Sequence, residues 1–153
     1  MRILIAVAML AALETSTTAV RASGLDHKPP DPAAIAALEA KAQQAPLREQ
    51  CFLYAELAHQ MTELSLLRYA DGDVIQASTL LKHIQETAQK VNLSLSQNNK
   101  RLKDTEILLR RTAFRLNEML HSSSFDDRAL VEQTLAQINH AQSETMLQVF
   151  RHN

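Results

Sequence analysis

The chain predicts an all-α fold, with antiparallel helical hairpins arranged around one long central helix at about residues 74–121. Two observations carry this reading. The residues Val74, Ala77, Leu81, Ile84, Ala88, Val91, Leu95, Asn98, Leu102, Thr105, Leu109, Thr112, Leu116 and Met119 recur at alternating spacings of three and four. That period is the seam of a helix packed against other helices. In addition, no Gly or Pro occurs from Asp73 to the C-terminus, so this half of the chain lacks the strongest helix breakers.

At the N-terminus, Arg2 followed by the apolar run Ile3–Leu13 has the form of an export signal, and the run is too short to span a bilayer as a helix. Small-x-small patterns place cleavage after Ala19 or Ala22. Residues 1–22 are therefore assigned as a signal peptide and residues 23–31 as a linker, with one helical domain over 32–153. Cleavage after Ala22 removes two bases (Arg2, Arg21) and one acid (Glu14), so the formal charge moves from −1 to −2. A near-neutral exported chain is a poor nucleic-acid binder. The expected location is the periplasm or the extracellular space, with membrane contact only through an uncleaved signal segment.

Within the domain, Asp31-Pro32 starts a first, Ala-rich helix that extends to Gln44, with Ile35 and Leu38 as its only large apolar residues. This helix is expected to dock loosely. Pro46 restarts the chain as a helix from Leu47 to Tyr69, with Leu47, Cys51, Tyr54, Leu57, Ala58, Met61 and Leu64 on its apolar face. Asp71-Gly72-Asp73 stops that helix and caps the next, Gly72 supplying the left-handed turn and Gln76 completing a capping box with Asp73. A turn this short makes the two helices antiparallel neighbours. After the long stripe, Ser124 caps a last helix from about Asp126 to Phe150, with Val131, Leu135, Ile138, Met146 and Val149 facing inward.

One choice lies inside the stripe. Asn92, Ser94, Ser96, Asn98 and Asn99 are weak helix formers clustered within a short stretch. A break near 92–99 gives a compact four-helix up-down bundle. Continuity gives a rod of roughly 70 Å, at about 1.5 Å per residue. The kept register favours continuity, and the rod's underfilled seam would call for a homodimer, with Asn98 setting the register.

Few constellations suggest chemistry. The sequence repeats E-x-x-H, as Glu56/His59 and Glu118/His121, a pattern that builds carboxylate-bridged metal sites when both copies point into a bundle. Both Glu residues project away from the apolar centres of their helices, so the expectation is solvated pairs, with no metal and no cofactor. Cys51 is the only cysteine, which excludes an intrachain disulfide and reads as a buried small hydrophobe. The basic stretch Lys100, Arg101, Lys103, Arg110, Arg111 and Arg115 reads as a solvated helix face. With two Gly in the chain, there is little material for a catalytic loop. The sequence therefore points to a non-enzymatic exported protein that binds a protein partner or itself. The alternatives are a periplasmic holdase or stress sensor exposing Leu53, Leu66, Leu67, Ile107 and Phe114, or a metal-binding bundle.

Overall fold

A computed structural model describes residues 30–96 and 98–151 of the chain. The signal-peptide reading of residues 1–22 and the linker up to Pro29 lie outside the described residues. Among the described residues there are five helices and no strand: α1 (Pro32–Gln44), α2 (Leu47–Ala70), α3 (Val74–Ser94), α4 (Leu102–Ser122) and α5 (Phe125–Arg151). The all-α expectation holds, and so do the punctuating residues. Asp31 Oδ1 accepts from the Ala33 amide at 3.0 Å. Gly72 takes φ +81°, and Asp73 Oδ1 caps α3 by accepting from the Gln76 amide at 3.1 Å. The Asp127 amide points to Ser124 Oγ at 3.4 Å, at the start of α5.

The long central helix does not form, and the broken alternative is what folds. The helix stops at Ser94 and restarts at Leu102. The physical reason lies in the polar cluster, whose side chains replace helix hydrogen bonds with local ones. Asn99 Nδ2 donates to the Ser94 carbonyl at 2.8 Å, while Asn99 Oδ1 accepts from Ser96 Oγ at 2.8 Å and from the Ser96 amide. The Lys100 amide then donates to the Arg48 carbonyl at 2.8 Å, which pins the connection to the start of α2. Arg101 closes the turn in the left-handed region, at φ 61° and ψ 32°. For a non-glycine residue that conformation costs roughly 1–2 kcal/mol. Its guanidinium lies 3.6 Å from the centre of the Phe52 ring, a cation–π contact that offsets part of the cost.

Side-chain bonds between helices fix their directions. Ser65 Oγ donates to the Ala77 carbonyl at 3.1 Å and Cys51 Sγ approaches the Val91 carbonyl at 3.9 Å, so α2 and α3 are antiparallel. Lys100 meets Glu49, Thr112 meets His59, and Arg115 meets Glu63, so α2 and α4 run parallel. Helix α5 packs on both α3 and α4, whereas α3 and α4 face each other only across the diagonal of the core. The molecule is thus a four-helix bundle made of two stacked hairpins, α2–α3 and α4–α5. The α3–α4 connection crosses one end of it diagonally, and α1 lies on α2.

The predicted stripe lines this core from both sides of the break. Ala77, Leu81, Ile84, Ala88, Val91, Leu109, Leu116 and Met119 are buried, while Asn98 is exposed in the connection. Each half of the seam is covered by this chain's own helices. In α5 the inward row is Val131, Thr134, Ile138, Ala141 and Thr145, and the expected inward residue Met146 is 39% exposed. The core is unusually rich in threonine. Thr62, Thr87, Thr105, Thr112, Thr134 and Thr145 are all fully buried, and each hydroxyl donates to the carbonyl four residues earlier. That local bond satisfies the hydroxyl without a partner helix, which is how a polar residue occupies a seam position.

Candidate functional site in the groove between α2 and α4

The parallel edges of α2 and α4 bring together more of the chemistry-bearing residues than any other part of the described chain. From α2 come Glu49, Glu56 and Glu63 at seven-residue intervals, with Phe52 and His59 between them. From α4 come Ile107, Arg110, Arg111, Phe114 and Arg115, and these five with His59 and Glu63 line a groove of about 560 Å³.

The basic stretch of α4 is not a free cationic face. Lys100 pairs with Glu49 at 3.1 Å, Arg101 with Asp104 at 2.9 Å, and Arg110 with Glu106 at 3.0 Å. Arg115 makes a two-pronged bond to Glu63, at 2.7 and 3.0 Å, and also pairs with Glu118. Those carboxylates raise the Arg115 pKa against the opposing effect of burial, with the Glu63 hydrogen bond the largest cause. The fixed cations are therefore largely clasps between helices or along α4. Among the described residues, Lys103 and Arg111 are the members of the stretch without such a carboxylate.

The structure does not assemble the duplicated E-x-x-H into one site. Glu56 and His59 sit midway along α2, while Glu118 and His121 occupy the last turn and a half of α4. Glu118 is committed to Arg115, and His121 Nδ1 bonds to the Asn117 carbonyl of its own helix at 2.7 Å. Among the described residues, no group of three or more His, Cys, Asp or Glu side chains is placed to hold a metal ion. Glu118 and His121 are exposed, whereas His59 is not the solvated side chain expected. His59 is half-buried and bonds to Thr112 across the groove at 3.1 Å. Thr112 Oγ1 already gives its one proton to the Leu108 carbonyl at 2.9 Å, so it accepts from His59 Nδ1. A neutral imidazole here thus carries its proton on Nδ1.

Above these bonds the groove is apolar and open. Phe114 is 62% exposed and Ile107 is 40% exposed, one turn to either side of Arg111. Both are exposed, as expected of off-seam residues, whereas Leu53, expected with them, is only 7% exposed. Leu53 is covered because α2 has neighbours on three sides, α1, α3 and α4, and so has little free circumference. What sequence reading missed is the pairing of α2 with α4, since the cross-helix ion pairs depend on a parallel neighbour separated by the whole of α3.

Cys51 faces α3 and is fully buried, and desolvation pushes its thiol up to about 12. The unfolded thiol ionises near the ordinary value of 9.0, so the stability linked to this group is intact below that pH and is lost between pH 9.0 and about 12. The expected loss is about 1.4 kcal/mol per pH unit in that window. Urea titrations of wild type and Cys51→Ala at pH 8 and pH 10 isolate it, because the variant lacks the slope. Equal slopes for both would contradict the assignment.

No protein-family model, curated protein or solved structure matches this chain.

Proposed function

We propose that the protein is a non-catalytic binding module, acting after export, that holds a segment of another protein in the groove between α2 and α4. The observation that carries this reading is the pair of outward apolar side chains, Phe114 and Ile107, flanking an Arg111 that pairs with no carboxylate among the described residues. An aromatic anchor beside a guanidinium suits a partner segment that supplies an apolar side chain and one carboxylate. The self-neutralised α4 face supports a protein partner over a polyanion, because four of its six cations are already paired. A non-enzymatic role is supported by the turns, since Asp71–Asp73 and Ser123–Ser124 are taken up with capping bonds.

The test is selection of peptides from a displayed random library on the folded protein. Binders are expected to combine a large apolar residue with a nearby Asp or Glu. Phe114→Asp should weaken them by about 2 kcal/mol, roughly 30-fold in Kd, with helix content unchanged. Binders without an apolar anchor, or binders indifferent to Phe114→Asp and Arg111→Glu, would overturn the proposal.

A further inference from the structure

We infer that the connection between α3 and α4 is a hinge through which two copies of the chain exchange their α4–α5 hairpins. Four observations converge on this partner, a second copy of the same protein.

The first is phase. The spacing Val91, Leu95, Asn98, Leu102, Thr105 carries the three-four alternation straight through the break, although α3 and α4 are separate helices at diagonal corners of the bundle. A closed bundle places no demand on the rotation of one helix relative to the other across a diagonal connection. A fused α3–α4 helix does, because both halves must present their seams along one line. The second is composition. The connection has no Gly or Pro, and among its described residues the left-handed one is an arginine, whose strain is released when the segment becomes helical.

The third is direction. With α2 parallel to α4, a fused helix carries α4 away from its own α2 and beyond the end of the bundle. A two-fold mate runs its own fused helix the opposite way, and its α4 arrives parallel to the first copy's α2. The hairpins α2–α3 and α4–α5 stay within one copy. The clasps Glu49–Lys100 and Glu63–Arg115 and the His59–Thr112 bond re-form between copies. The interface is therefore the one this chain already makes with itself. The fourth is the apolar surface at the hinge end. Leu47 is 77% exposed, Leu93 is 86% and Phe150 is 70%, and all three lie where the two lobes of an exchanged dimer meet. Ile75 and Phe125, exposed at the far end, gain no cover from the exchange.

The test uses the full domain with spin labels on Gln76→Cys and Asn117→Cys, both exposed sites, and leaves buried Cys51 in place. Labelled chain is diluted into unlabelled chain and refolded at about 1 mM, where exchange competes with closure. Monomer and dimer are then separated by size. In the closed monomer the labels lie at the same level of the bundle, about 20 Å apart across its diagonal. In an exchanged dimer they sit on one helix and about 60 Å apart, at roughly 1.5 Å per residue. Arg101→Gly, which eases the left-handed turn and weakens the fused helix, should lower the dimer yield at least fivefold. Asn98→Leu with Asn99→Ala, which strengthens the fused helix, should raise it at least fivefold. A dimer showing only the short distance would overturn the inference. So would the absence of dimer from all three proteins, or yields that fail to move in opposite directions.

Discussion

Truncation of Leu57 to alanine is expected to destabilise the bundle by about 3 kcal/mol, within the 2–5 kcal/mol range for fully buried leucines. Leu57 has no exposed surface and sits midway along α2, the one helix that packs on α1, α3 and α4. Helix α2 is held by α1, α3 and α4, so the movement of one neighbour alone does not collapse a cavity within it. In urea unfolding, the midpoint should fall while the slope stays unchanged, since the unfolded surface is nearly the same. The same truncation at Leu147, which is 48% exposed, should cost about 0.5 kcal/mol or less. A loss below about 1 kcal/mol for Leu57→Ala would mean that α2 is not the hub of the core.

The buried threonines yield a second and sharper contrast. Among the described residues, Thr145 Oγ1 has a single bond, to the Ala141 carbonyl at 2.8 Å. Replacing Thr145 with valine removes the hydroxyl proton together with its only use, and that carbonyl still has its ordinary helix amide. Thr145→Val should therefore leave stability within about 0.5 kcal/mol of wild type. Thr112 differs because its oxygen also accepts from His59 Nδ1. Thr112→Val removes the acceptor of the cross-helix His59 Nδ1 bond, at an expected cost of about 1–2 kcal/mol. The measurement is chemical denaturation of both variants under identical conditions. Equal losses would contradict the assigned proton positions.

These contrasts also show what could be read in the sequence. Helix starts and stops were legible because they depend on local chemistry. Asp31-Pro32, Pro46, Asp71-Gly72-Asp73 and Ser124 each act on neighbouring backbone atoms, and each sits at a helix boundary. The stripe was legible as core, because burial follows helical period whichever neighbour covers it. Continuity across Leu95–Arg101 was not, since an unbroken phase is compatible with one helix or with two. The outcome turns on the side-chain bonds of Ser96 and Asn99 and on the Lys100 amide reaching α2. The threonine positions of α5 were hidden because a hydroxyl bonded within its own helix behaves as an apolar side chain, a state that polarity alone does not reveal. His59 and the α4 cations were misplaced for a third reason. Their partners lie on α2, and nothing local in the sequence marks α2 and α4 as parallel neighbours.

The central claim is that this chain closes its own seam as a compact bundle broken between Ser94 and Leu102. Small-angle scattering of the domain at low concentration tests it most directly. A compact monomer of this length has a radius of gyration of about 14 Å. A monomer with a continuous helix over residues 74–121 would be a rod of roughly 70 Å, with a radius of about 20 Å. The structure predicts the smaller value, and a dilute monomer near the larger one would contradict it.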